Sequence, residues 1–413
     1  MGSERKIYVF ADFLEYDNEF IGTIYSEGNR GHELYSFEYD NEWLKKADMF
    51  IDPDLQLYSG RQFTRDDKKI FGVFADSCPD IWGRLLMRRR EEIRAKNAGE
   101  KPDKLLEADY LLGVYDESRM GGLRFKTSMD GDFVSSDKEF ATPPWTSLRE
   151  LEQASVAFEN DEKRPDAKWL KQLIAPGSSL GGARPKASVL APDGSLWIAK
   201  FPSKHDDHDS GAWEMVVHDL AVLCGLNVPE TKLEKFSKLG STFLIKRFDR
   251  DGERRIHFSS AMTLLGKKDG ADSMDGSSYL EILSFIKANG VEPDKDSREL
   301  WKRIVFSMAV SNTDDHLRNH GFILTDRGWK LSPMFDVNPD IYGHFLSLNV
   351  DDENSRIDFD LALNAAKYYG LGESDAKQII SEISATVDTH WKRLAKEYGI
   401  SRSEIERMTP AFE

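Results

Sequence analysis

The feature that most narrows the possible folds is a change of pattern near Ser259. Upstream, short apolar runs alternate with turn signals. KIYVFADF, EFIGTIYS and HELYSFEYD read as strands of a small sheet, and PKASVLA, SLWIAKFP and STFLIKRFDR as further strands. Between them, PDIWGRLLMRRREEIRAK, SLRELEQASVAFE, DAKWLKQLIA and AWEMVVHDLAVLCG carry apolar residues at helical spacing. Downstream, SSYLEILSFIKANG, ELWKRIVFSMAVSN, FDLALNAAKYYG, ESDAKQIISEISATVDTHWKRLAKEYG and SRSEIERM are all helical, with one strand-like stretch, GFILTDRGWKLSP. Such a chain is α+β: a mixed α/β N-terminal region precedes an all-helical C-terminal lobe. At 413 residues it has length for two or three domains. The polar stretch Gly131 to Pro144 marks a boundary. The expected division is 1–135, a small N-terminal subdomain; 136–255, with a glycine-rich loop and strands; and 256–413, the helical lobe.

Composition excludes several classes. No apolar run approaches the roughly 20 residues needed to span a bilayer, and the opening MGSERKIYVFADFLEYD lacks the apolar core of a secretory signal. Cys78 and Cys224, far apart, read as reduced thiols in a cytoplasmic chain. A formal net charge of −16 makes direct binding to nucleic acid unfavourable and suits a basic protein partner. The one basic stretch, Arg88 to Lys104, reads first as a solvated helix face.

Four motifs follow in order. APGSSLGGARPKASV frees the backbone at Gly177, Gly181 and Gly182 for close approach to an anion, but it is neither a Walker A loop nor a dinucleotide fingerprint. In SLWIAKFPS, Lys200 lies on a strand expected to be buried, so it needs an anion; Glu214, on the following helix, is a candidate partner. A glycine loop, a strand lysine and a helix glutamate in this order form the phosphate-handling half of a kinase-like site. Third, SNTDDHLRNHGF packs two acids, two histidines, two asparagines and an arginine between two apolar elements. A kinase catalytic loop places an Asp five residues before an Asn. Asp314 and Asn319 have that spacing and Asp315 does not, so Asp314 is the expected catalytic base and Asn319 a metal ligand. Arg318 or His316 holds the loop or neutralises phosphate. The competing reading, a metal site on His316 and His320, lacks the His-Glu-x-x-His pattern. Fourth, Asp336 in LSPMFDVNPD follows Asn319 after a hairpin-like stretch, where a kinase places its main magnesium aspartate, although Val337 and Asn338 replace the usual Phe-Gly.

Together these residues resemble the HipA-type serine/threonine kinases, toxin components of bacterial toxin–antitoxin modules. FGVFADSCPDIWGRLLM and ELYSFEYDNEWL look like that family's N-terminal subdomain. SSLGGARPKA, IAKFP, RFDR, NTDDHLRNHGF and MFDVNP look like its kinase core. The resemblance implies a kinase-like two-lobe architecture with ATP and Mg²⁺ between the lobes. Ser178, Ser179, Gly181, Gly182, Ala183, Lys186 and Lys200 then face the nucleotide, together with Lys246, Arg247, Phe248, His316 and Arg318. Asn319 and Asp336 hold the metal, and Asp314, Lys200 and Asn319 carry the catalysis. It also implies autophosphorylation of Ser179, with Ser178 the second choice. The implied acceptor is an aminoacyl-tRNA synthetase, glutamyl-tRNA synthetase above all. The implied partner is a small helix-turn-helix antitoxin of the HipB kind that supplies the DNA contacts. Two readings from other classes stand beside this one: a small-molecule phosphotransferase of kinase-like fold, and a catalytically silent nucleotide-binding partner of a DNA-binding protein.

Overall fold

The computed structural model describes residues 4–29, 32–47, 50–135, 142–160, 173, 182 and 184–413. They form two compact units. The first comprises 1–204, 249–259 and 266–269, and the second 205–248, 260–265 and 270–413. The stretch expected as one domain over 136–255 is thus shared between the two.

In the first unit an antiparallel sheet is ordered β4-β3-β2-β1-β5: β1 Arg5–Phe13, β2 Tyr16–Asn29, β3 His32–Tyr39, β4 Gln62–Phe63 and β5 Leu123–Lys126. Period-two alternation buries Ile7, Val9, Ala11 and Phe13 of β1 on one face. At Gly22 a Cβ would lie 2.4 Å from the Glu38 carbonyl oxygen, so only glycine lets β2 approach β3 this closely.

Helix α1, Ile81–Ala98, starts at Asp80, whose side chain accepts from the Gly83 N–H at 2.8 Å, and stops at Gly99 in the left-handed region. Its apolar face, Trp82 and Leu86, packs with Ala154 and Phe158 of α2, Leu148–Asn160. Within the arginine-rich stretch, Arg89 pairs with Glu92, and Arg94 with Glu91, Glu100 and Asp103. The segment DAKWLKQLIA, expected as a helix, lies outside the described residues except for Leu173. The hairpin of β6, Lys186–Leu190, and β7, Leu196–Lys200, also belongs to this unit.

Two buried ionisable groups here oppose each other in pH. The His257 ring stacks on Phe13 at 4.7 Å, and burial pushes its imidazole down to about 4. The folded state thus rejects a proton that the unfolded chain binds, so stability falls as pH drops from about 6.5 towards 4, by about 3 kcal/mol in all. Burial raises Asp52 to about 6, so its contribution rises as pH falls through the same window and offsets the loss. His257→Phe removes only the first effect. Denaturant midpoints for the parent and variant at pH 7 and pH 4.5 should therefore diverge on acidification, with the variant gaining about 2–3 kcal/mol relative to the parent; parallel midpoints would contradict this assignment.

The second unit is built on helices. α3, Ser210–Leu223, packs against the hairpin β8, Thr231–Glu234, and β9, Thr242–Lys246, and against the long α7, Glu373–Glu397. This double contact is why the middle stretch divides between the units. Trp213 of α3, Trp391 of α7 and Phe412 form an aromatic core, with Trp391 stacked on Phe412 at 4.6 Å. Helices α4, Tyr279–Asn289, and α5, Pro293–Ala309, pack side by side, and α4 opens with a reciprocal Ser278–Glu281 capping box. The unit is not wholly helical: GFILTDRGWKLSP forms a hairpin, β10 Gly321–Thr325 and β11 Gly328–Leu331. Short helices α6, Phe359–Ala365, and α8, Arg402–Met408, flank α7. No helix among the described residues is long and apolar enough to cross a membrane.

Candidate functional site

Residues 311–320 link the end of α5 to β10, and buried contacts fix the loop's shape. Asn312 is buried and accepts from the Asn338 N–H at 3.2 Å. The Asp340 N–H donates to the Ser311 carbonyl at 3.0 Å, and the Thr313 hydroxyl donates to Asp340 Oδ2 at 2.6 Å. These three bonds hold the Asp336–Asp340 segment against the loop. Ser311 and Asp336 both adopt left-handed backbone (φ 49° and 58°), which costs a non-glycine residue about 1 kcal/mol or more.

The two adjacent aspartates have opposite surroundings. Asp315 is buried: the Tyr279 hydroxyl donates to Oδ2 at 2.6 Å, and His320 Nε2 lies 3.0 Å from Oδ1. Burial alone would raise its carboxyl, but His320 and the Tyr279 hydroxyl outweigh it and hold the group below its ordinary range. Asp315 is therefore occupied in bracing the loop. Asp314 instead exposes 84% of its side chain, with His316 Nε2 at 3.9 Å. Its carboxyl is raised, by desolvation first, then by the neighbouring carboxylates Asp336, Asp315 and Asp340, against the opposing His316. With the side chain this accessible, the cluster of negative charge is the firmer cause. Of the pair, only Asp314 is reachable by an acceptor.

Asn319 is 4% exposed. Its Nδ2 donates to the Asp314 carbonyl at 2.9 Å, while Oδ1 is buried with no hydrogen-bond partner among the described residues. An orphaned buried amide oxygen is costly unless something binds it. Asp336 and Glu214 line one small, largely apolar cleft with Phe335, Phe243, Ile245 and Val217. The Phe248 ring meets Phe335 at 5.6 Å, so the Lys246–Phe248 segment and the Asp336 segment are neighbours. Lys246 N–H donates to the Glu230 carbonyl at 2.8 Å, and Arg247 is buried. Among the described residues no group of three His, Cys, Asp or Glu side chains is arranged to hold a metal, and His320 is engaged with Asp315. A magnesium bound largely through nucleotide phosphates needs only one or two protein oxygens, and the Asn319 amide and the Asp336 carboxylate suit it chemically.

In the first unit, Lys186 and Lys200 are directly opposed across the β6–β7 hairpin, and both are buried. Like charges in such positions repel unless anions compensate them. Asp80 compensates Lys186: Nζ to Oδ2 is 2.9 Å, with 5% and 3% of the two side chains exposed. Trp82 Nε1 donates to the Lys186 carbonyl at 3.1 Å, so the first turn of α1 is pinned to the start of β6. Gly182 has φ 87°. Ser178, Ser179, Gly181 and Ala183 lie outside the described residues. Glu214 belongs to the second unit.

Sequence reasoning missed the Asp80–Lys186 pair and the Tyr279–Asp315–His320 brace. The opposition of Lys186 and Lys200 did have a signal: the turn APDGS, with Gly194 at φ 84°, sets the register that pairs them.

The family model of the HipA-like C-terminal domain matches residues 178–391, and that of the HipA N-terminal domain matches 15–103. The chain belongs to the HipA family. The serine/threonine-protein kinase toxin HipA of Shewanella oneidensis is 24% identical over 242 residues, covering 51% of this chain and 55% of that protein. A Haemophilus influenzae protein that carries a kinase name is 29% identical over 182 residues, covering 39% of this chain and 52% of that protein. The chain thus spans about half the length of the curated relatives it matches. The solved Shewanella oneidensis complex of HipA, HipB and operator DNA contains a chain of similar fold, with TM-score 0.63, 16% identity, and 98% and 94% of the two chains covered.

Proposed function

We propose that this chain is an ATP- and Mg²⁺-dependent serine/threonine protein kinase, the toxin of a toxin–antitoxin pair. The observation that carries the reading is the contrast within the loop: an exposed carboxylate at Asp314 five residues before a buried Asn319 whose amide oxygen has no partner among the described residues. Asn319 Oδ1 and the Asp336 carboxylate would hold Mg²⁺, which neutralises phosphate charge when bound. Lys200 and Lys186 supply positive charge beside the glycine-rich loop, and Lys246 to Phe248 flank the adenine. Asp314 orients the acceptor hydroxyl and takes its proton as the oxygen–phosphorus bond forms and the bond to ADP breaks.

The names of the relatives support phosphate transfer, and the fold shared with the HipA of the HipA–HipB–operator complex supports a HipB-like helix-turn-helix antitoxin that reaches DNA. An acidic chain suits such a basic partner. The acceptor in this reading is a translation protein, an aminoacyl-tRNA synthetase such as glutamyl-tRNA synthetase, phosphorylated in the cytoplasm. Ser179 is the self-phosphorylation site, and a phosphate there would repel the nucleotide phosphates.

Incubation with Mg²⁺, γ-labelled ATP and purified glutamyl-tRNA synthetase tests this directly. Label on serine or threonine of the synthetase, or on Ser179, is expected; unlabelled protein in the presence of bound ATP would overturn the kinase reading. Asn319→Ala should weaken nucleotide binding about 10–100-fold in Mg²⁺ and little in EDTA, as measured by calorimetry. An equal loss in both buffers would show that Asn319 has no metal role.

A further inference from the structure

The part of the second unit that follows the Asp336 segment builds a groove beside Asp314 that the nucleotide chemistry does not use. Asp272, Ser273, Thr313 and residues Tyr342–Ser347 wall it. One wall is the catalytic loop itself: a Cβ at Gly343 would lie 2.3 Å from Thr313 Cγ2, and the Ser347 hydroxyl donates to the Thr313 carbonyl at 2.8 Å. The opposite wall is tied on by the Ser273 N–H, which donates to the Ser347 carbonyl at 2.7 Å. The groove therefore runs one residue from Asp314.

Its rim carries exposed apolar side chains. Tyr342 is 78% exposed and Phe345 56%. Large apolar groups left open together mark a contact surface. The surrounding charge is mainly negative: Asp272, Asp275, Asp314 and Asp340, opposed by His344 and by Arg356, whose backbone bridges to Phe345. Asp340 is already spent on Thr313 and on the Tyr342 N–H, at 2.6 and 2.8 Å, so the segment holds its shape without an occupant.

We propose that this groove, on the kinase reading above, docks the acceptor as an extended, basic polypeptide segment. Its Lys or Arg side chains face the acids, one apolar side chain packs against Tyr342 and Phe345, and its hydroxyl is delivered to Asp314. Charge complementarity selects this occupant over an acidic segment. The aromatic rim supplies the anchor that carries most of the affinity in such contacts.

The test uses the full chain, a degenerate serine-centred peptide library with γ-labelled ATP and Mg²⁺, and fluorescence anisotropy of the same peptides without ATP. Peptides with Lys or Arg flanks and one large apolar residue should be preferred in both assays. The double variant Y342A/F345A should raise KM and Kd for the best peptide about tenfold or more, while kcat and Mg·ATP affinity stay unchanged. Asp272→Lys should lower the preference for basic flanks, a readout that a merely structural role would not move. A preference for acidic peptides, absence of peptide binding, or an unchanged KM in the double variant would overturn the proposal. So would a parent dimer that the double variant dissolves, because the groove would then be an interface between copies. Peptide that binds as described but is never phosphorylated would leave the groove standing and sink the kinase reading instead.

Discussion

Asp314→Ala is expected to bind Mg·ATP nearly as tightly as the parent chain and to transfer phosphate about 10²–10⁴-fold more slowly, the range for removal of a positioned acid or base. The separation of the two effects follows from the site. The Asp314 side chain projects to solvent, and it is its backbone carbonyl, not its carboxylate, that receives the Asn319 amide N–H. Truncation at Cβ therefore leaves the Asn319 oxygen and Asp336 in place. The raised carboxyl of Asp314 adds a pH signature: its basic form is lost earlier on acidification than that of an ordinary aspartate. The acid limb of the parent's kcat profile should belong to this group, and Asp315→Asn should not reproduce the pattern. Asp315 is a buried brace, and its loss should lower stability and disorder the loop. Near-parental turnover in Asp314→Ala would remove it from the chemistry.

Asp80→Ala is expected to cost about 3–5 kcal/mol of stability in the first unit, the range for removing one partner of a buried ion pair. The cost arises because the Lys186 ammonium stays in a site where 5% of its side chain is exposed, opposite a second buried lysine. Loss of the helix cap on α1 contributes about 1 kcal/mol of this. Asp80→Asn keeps an oxygen for the Gly83 N–H and removes only the charge, so it isolates the ion-pair part. Lys186→Met with Asp80→Leu should recover much of the stability, since an apolar pair of similar volume needs no counter-charge. Denaturant melts of the three variants check this; an Asp80→Ala loss below about 1 kcal/mol would mean that the pair is not carrying the lysine. In the kinase reading the same variant should also weaken nucleotide binding, since the pair sits four residues from Gly182 at the end of the glycine-rich loop.

Much of this was legible in the chain, because the signals are local. The alternation in KIYVFADF buries alternate residues of β1, and Asp80 and Gly99 bound α1 where capping chemistry places them. The five-residue spacing from Asp314 to Asn319 singled out the aspartate that the structure leaves accessible, and passed over the one it buries. The features not legible are those made by residues distant in sequence. Nothing near Lys186 announces Asp80, over a hundred positions earlier. Tyr279 reads as one more apolar residue of a helix until it meets Asp315. Gly343 looks like an ordinary turn residue until Thr313 is seen to fill the space of its missing side chain. The strand-like stretch in the otherwise helical C-terminal lobe forms the β10–β11 hairpin, as its turn at Asp326–Arg327 and the alternating Phe322, Leu324, Trp329 and Leu331 signal.

The most direct test of the central claim needs no acceptor. Calorimetric titration of the full chain with a non-hydrolysable ATP analogue, in Mg²⁺ and again in EDTA, asks whether Asn319 and Asp336 form a metal–nucleotide site. Saturable binding that is at least tenfold tighter with Mg²⁺ is expected, with loss of that difference in Asp336→Asn. Equal affinity in the two buffers, or no binding in either, would contradict the claim.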